Sequence, residues 1–310
     1  MKSEFDFIQN IKKKYSLEKV GDDCAVLPKD DKTDMVITAD MLVEDIDFRL
    51  YWTTPEFLGH KALAVSLSDI AAMGAEPKWA MLSLGVPEKL WNEGFADKFY
   101  AGWHSIASKF RVDLIGGDIS RSPDRFIVDS VVSGTVPKGK AILRSGAKAG
   151  DALFVSGPLG GAAGGLQMLE QNLGEASCIL IESQLRPTPR VTLGKILREG
   201  GVASSAIDIS DGLSSDLLHI CSASNVGARI ETIPINKTLF EYFESDKSIQ
   251  FALHGGEDFE LLFTVPPEKN SSLENLPVTR IGEITSNTGV IELVRDGKTE
   301  ILQPKGYRHF

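Results

Sequence analysis

Aspartate stands beside small residues in five short segments: Gly21-Asp22-Asp23, Thr38-Ala39-Asp40, Ser68-Asp69, Gly116-Gly117-Asp118 and Asp208-Ile209-Ser210-Asp211-Gly212. A carboxylate next to glycine brings its oxygens and a nearby backbone close to the same ion. Hard cations such as Mg²⁺ take oxygen ligands and share them with phosphates. One Asp-Gly pair is usually only a turn. Five clusters, most of them closing an apolar run, argue for a metal–phosphate site and demand a fold that gathers them.

At 310 residues the chain has room for two domains. No apolar stretch approaches the roughly 18–20 residues that cross a bilayer, and the charged start MKSEFDFIQNIKKKY does not read as a signal peptide. A cytoplasmic protein without membrane contact is expected. Cys24, Cys178 and Cys221 have no CxxC spacing, which disfavours zinc or a disulfide framework and reads as buried thiols. A formal net charge of −10 argues against nucleic-acid binding, which needs a basic face. An acidic site holds an anionic substrate only when bound cations reverse the local field. The acidity therefore agrees with metal-dependent chemistry, and equally with surface charge for solubility.

The apolar periodicity predicts a strand over Met35–Thr38, closed by Asp40, and a helix starting at Thr54-Pro55-Glu56 and closed by Gly74. A strand follows over 79–86, then one long amphipathic helix over 88–110, a turn at Gly116-Gly117-Asp118 and a strand over 126–136. Residues 137–150, rich in Gly, Lys and Pro, suit a boundary between an N-terminal domain, 1–137, and a C-terminal domain, 138–310. Beyond it come strands at 152–156, 205–209, 259–265, 278–281 and 290–294, with helices after Gly161, over 189–198 and from Leu213. Several strands follow one another without helices between them, which favours α+β over a doubly wound sheet.

Single motifs leave alternatives open. Asp22 and Asp23 repel each other unless a cation or solvent screens them, so they read as a ligand pair or a solvated turn. Asp69 lies inside an apolar helix, where a charge rarely stays without a partner. Asp208 and Asp211 flank a helix start whose free N–H groups attract phosphate, although Ser210 or Asp211 also serves as an ordinary cap. The glycine-rich SGPLGGAAGG lacks a P-loop ending and reads as close helix packing. In the segment from His254 to Glu260, one acid could face a ligand while alternation turns its neighbour away. Arg144 is a candidate phosphate cation or a surface residue. The histidines show no metal-ligand spacing and no nucleophile–base arrangement, so no covalent nucleophile is expected.

Taken in order, GDDCAV, TAD, VEDIDFR, HKALAVSLSDIAAMGAEP, IGGDISRS, LRSGAKAGD, AIDISDGLSSDL, HGGEDFELLF and the terminal GYRHF resemble the thiamine-monophosphate kinase family of the aminoimidazole-ribonucleotide synthetase-like ATP-binding superfamily. The resemblance runs from Gly21 to Phe310. It implies a homodimer in which N-terminal sheets pair into a β-barrel, an α/β sandwich-like C-terminal domain, and a groove holding ATP and several Mg²⁺ ions. Asp23, Asp40, Asp69, Asp118, Asp208 and Asp211 correspond to metal ligands, with Thr38 and Ala39 supplying further oxygens. Tyr100, Gly117, Asp118, Arg144 and Ser210 correspond to ATP contacts, and Glu257 and Tyr307 to contacts with the thiamine portion. Asp47 stands where the family often has histidine near the substrate. The implied reaction is direct, metal-assisted phosphoryl transfer from ATP to thiamine monophosphate. The rivals are another ATP-dependent reaction of the superfamily and a silent ATP–Mg²⁺ sensor.

Overall fold

The computed structural model describes residues 4–173, 177–307 and 309; Arg308 and Phe310 of the terminal motif lie outside them. Its first part runs α1 (Glu4–Tyr15), β1 (Ala25–Pro28), β2 (Thr33–Val43), α2 (Pro55–Ala72), β3 (Glu76–Pro87), α3 (Glu88–Asn92), α4 (Phe95–Phe110), β4 (Asp113–Ser122) and β5 (Ile127–Pro137). The second runs β6 (Ala152–Val155), α5 (Gly161–Glu170), α6 (Cys178–Leu185), α7 (Val191–Glu199), β7 (Ser205–Asp208), α8 (Leu213–Ser224), β8 (Gly227–Ile230), α9 (Leu239–Tyr242) and α10 (Ser245–His254). It ends with β9 (Leu261–Val265), β10 (Thr279–Thr285), β11 (Ile291–Arg295) and β12 (Lys298–Ile301).

These strands make two open sheets, ordered β1-β2-β5-β3-β4 and β12-β11-β8-β10-β6-β9-β7. Both are antiparallel except at the β3/β4 and β11/β8 pairs. Such sheets with helices packed on them are the mixed α+β class the sequence predicts.

One helix joins the two halves. Thr54 caps α2 by accepting the Phe57 N–H at 3.2 Å, with Pro55 in the first turn. Gly74, at φ +64, receives the chain as it leaves. Thirteen of the 18 residues of α2 are buried, so it is a central helix rather than a surface one. Its run of Ala, Ser and Gly lets it pack at once on α4, α7, β2 and β5 and on β7 of the second sheet. This is what places Asp69 between the two sheets.

Four local expectations differ from the structure. β2 does not stop at Asp40: it pairs with β5 through Val43↔Ile127, because β5 offers ladder partners along its whole length. The helix predicted over 88–110 is broken into α3 and α4 by Gly94 at φ +70. Gly116-Gly117-Asp118 is not a turn but the middle of β4, held by a parallel ladder to β3 that takes up a bulge between Ala80 and Met81. Finally, Cys24 and Cys221 are buried, but Cys178 at the start of α6 is exposed.

Candidate active site

Asp23 precedes β1, Asp69 lies in α2 and Asp208 ends β7. One carboxylate oxygen from each lies within 4.8 Å of the other two. Asp40, from β2, completes the acidic surround: burial first, and then the charges of Asp69, Asp23, Asp40 and Asp208, push the Cys24 thiol well above its usual range. Residues from the first sheet, the central helix and the second sheet thus meet at one point.

The electrostatics are those of crowded, buried carboxylates whose mutual repulsion a cation would relieve. Burial is the largest cause raising the carboxyl groups of Asp23, Asp40, Asp69 and Asp208 above the usual carboxylate range. For Asp69 and Asp208 the neighbouring aspartates add to it. Among the described residues, the only cation bonded within the group is Arg144, whose Nε donates to Asp23 at 3.0 Å while its backbone N–H donates to Asp22 at 2.7 Å. Ser66 donates to Asp40 at 2.7 Å and Thr38 donates to Asp69. Asp23 Oδ2 and Asp208 Oδ2 are buried with no hydrogen-bond partner among the described residues. Desolvated carboxylates left half-unsatisfied are costly unless something charged fills the gap. An all-oxygen set of this kind suits a hard divalent cation.

A cavity of about 550 Å³ opens beside the cluster. Asp40, Ser210 and Asp211 line one part of it, and Asp47, Glu257 and Tyr307 another. Glu257 sits at φ +67 in the loop before β9. Its neighbour Asp258 turns away and caps α5, accepting the N–H groups of Gly160 at 2.6 Å and Ala162 at 3.1 Å. That is the divergence expected of these adjacent acids. The glycines of α5 do serve close packing: a Cβ on Gly165 would meet the Leu180 carbonyl at 2.1 Å.

Three of the sequence candidates stay apart from the cluster within one chain. Gly117 and Asp118 lie on the exposed edge strand β4, three strands from β2, a separation of about 14 Å at ordinary strand spacing. Tyr100 is exposed on α4, stacked on Trp103 and His104. Ala39 is exposed on β2, and Thr38 is buried beside Asp69.

Other residues at the site had gone unnoticed. Lys61, in α2 with a side chain only 3% exposed, lies 2.8 Å from Glu257, and Gln184 donates to the other Glu257 oxygen. A lysine inside the apolar stretch LGHKALAV was a readable signal, since a buried ammonium needs a carboxylate. His219 also comes within 4.8 Å of Asp211, just before α8, and of Asp216, one turn before it on α8. Comparing histidine spacings only with one another could not reveal that.

The family model described as AIR synthase related protein, N-terminal domain, matches residues 21–136, and its C-terminal counterpart matches residues 148–294. The thiamine-monophosphate kinase of Escherichia coli K12 is 41% identical over 305 residues, covering 94% of this chain and 91% of that one. The chain belongs to the thiamine-monophosphate kinase family. The Bacillus subtilis member is 39% identical, with 94% and 93% covered. Among solved structures, the one described as AaThiL complexed with AMPPCP and TMP superposes with a TM-score of 0.88 at 33% identity, covering 99% of this chain and 97% of that one. The chain shares with that structure the mixed two-domain α+β fold. No helix among the described residues is long and apolar enough to cross a membrane.

Proposed function

We propose that the protein transfers the γ-phosphoryl group of ATP to the phosphate of thiamine monophosphate, giving thiamine diphosphate and ADP. The observation that carries this reading is the convergence of Asp23, Asp69 and Asp208, with two orphaned buried oxygens, beside a cavity large enough for a substrate. The acceptor phosphate is largely ionised at neutral pH and needs no strong general base. Cys24, though central, is held as a thiol by burial and the surrounding acids and is no nucleophile. In this reading the transfer is direct, without a phospho-enzyme.

What the protein must overcome is repulsion between two anions. Asp23, Asp40, Asp69, Asp118, Asp208 and Asp211, with oxygens of Thr38 and Ala39, would hold Mg²⁺, which supplies positive charge between the phosphates when bound. Arg144 would meet nucleotide phosphate, and Ser210 lies just before α8, where backbone N–H groups favour anions. Asp47, Glu257 and Tyr307 would meet the thiamine end. Residues 1–137 form the N-terminal unit in this reading and 138–310 the C-terminal one, in a cytoplasmic enzyme.

A homodimer belongs to the same proposal. β4 is an edge strand exposed from Asp113 to Arg121, carrying Leu114, Ile115 and Ile119 at 39%, 59% and 57% exposure. An open, apolar edge invites pairing with another copy. Closure of two such sheets into a barrel would bring the Gly117–Asp118 edge and Tyr100 to a shared groove. Ile119→Glu should convert a species of roughly twice 33.7 kDa into a monomer by light scattering; a wild type that is already monomeric rejects this part. For the reaction itself, protein incubated with ATP, Mg²⁺ and thiamine monophosphate should accumulate thiamine diphosphate and ADP in equal amounts. ADP without diphosphate, or neither product, rejects it.

A further inference from the structure

We infer that Asp47, rather than Glu257, makes this cavity choose a cationic heteroaromatic ring over a neutral ring of the same shape; the inference deepens the phosphoryl-transfer reading and rests on it. Both carboxylates line the cavity, but they are not equivalent. One Glu257 oxygen lies 2.8 Å from the Lys61 ammonium, whose side chain is 3% exposed, and Gln184 holds the other. A lysine this deep cannot swing out to water, so Glu257 spends its charge on a fixed internal partner.

Among the described residues, Asp47 has no such partner. Its Oδ2 accepts a 2.7 Å bond from the neutral backbone N–H of Val43. His309 and Lys61 act on it only from a distance, while Glu257 opposes them and burial makes its charge costly. An under-compensated, half-buried carboxylate gains most from a cation supplied by the ligand. The rest of the described lining agrees: Asp40, Asp47, Glu170, Asp211 and Glu257 stand against Lys305 alone among its lysines and arginines. Trp52, Phe251 and Tyr307 add apolar walls, which exclude water and strengthen a charge contact.

The test compares wild type, Asp47→Asn and Asp47→Glu with ATP and either thiamine monophosphate or its isostere in which carbon replaces the thiazolium nitrogen. Asn keeps an oxygen for the Val43 N–H, so the loop contact survives while the charge is lost. Asp47→Asn should raise KM for the cationic substrate about tenfold or more, with kcat within about threefold and KM for the neutral isostere within about twofold. Asp47→Glu should keep the wild-type preference. An equal loss on both substrates would mean that Asp47 only shapes the loop, and would overturn the inference. So would an unchanged preference in Asp47→Asn, while leaving the kinase reading standing. A wild type that phosphorylates neither compound overturns both.

Discussion

Asp208→Asn is expected to lower diphosphate production to about one-thousandth of wild type or less, a loss of roughly 4 kcal/mol in transition-state stabilisation, without destabilising the cation-free protein. Asp208 ends β7 at 2% exposure. Its Oδ2 has no hydrogen-bond partner, and it shares the cluster with Asp23 and Asp69. In the proposed reading, replacing one carboxylate of three removes a charged ligand and leaves a weak neutral one. The same change relieves repulsion among the carboxylates in chelator. Burial, with Asp23 and Asp40 adding to it, raises the folded carboxyl of Asp208 above its unfolded value, with the nearby Ser68 hydroxyl and Arg144 only partly offsetting the shift. Its contribution to stability is therefore present below the ordinary carboxylate range and is lost as pH rises through the folded pKa. In chelator, wild type should melt at progressively lower temperature as pH rises above about 4, and Asp208→Asn should show a shallower slope and an equal or higher Tm. Turnover within tenfold of wild type, or a Tm several degrees lower in chelator, would remove Asp208 from the site. Both outcomes are read from steady-state assays and melts in chelator and in Mg²⁺.

Which of these features the sequence announced follows from what each one depends on. α2 was readable at both ends because its signals are local: a Thr-Pro start and a glycine stop. Asp69 was readable because a carboxylate in an apolar helix demands a partner. The extent of β2 past Asp40 was not, because it is decided by β5, some ninety residues further on. Gly116-Gly117-Asp118 looked like a turn because glycine usually marks one; here Gly117 is needed because a Cβ would meet the Leu82 carbonyl at 1.8 Å in the neighbouring strand. The acidic segments were visible one by one, but their meeting point depends on α2 bridging two sheets, which no local pattern encodes. Lys61 is the opposite case: a base in the apolar stretch of α2 is a local signal, and it neutralises one of the acids.

Gly59→Val should cost more stability than any other single change considered, on the order of 3–5 kcal/mol, above the usual 1–3 kcal/mol of overpacking. Gly59 of α2 faces α4 so closely that a Cβ would lie 1.9 Å from the Phe99 carbonyl oxygen and 2.8 Å from the Trp103 nitrogen. On the facing helix, a Cβ on Gly102 would meet the Glu56 carbonyl oxygen at 1.9 Å. The two backbones touch through paired glycines, so no rotamer change can absorb an added side chain. Separating the helices would strip contacts from Trp103 and Phe99, among the largest fully buried side chains. A Tm fall on the order of 10 °C follows, at roughly 2–4 °C per kcal/mol for a chain of this size class. Activity should fall along with stability, because α2 carries Asp69 into the carboxylate cluster. Gly116→Ala is the control: its Cβ meets nothing nearer than the Met81 methyl at 3.8 Å, and less than about 1 kcal/mol is expected. Equal melting temperatures for Gly59→Val and wild type would show that the α2–α4 crossing has slack, and that the position of Asp69 is set by something other than this contact.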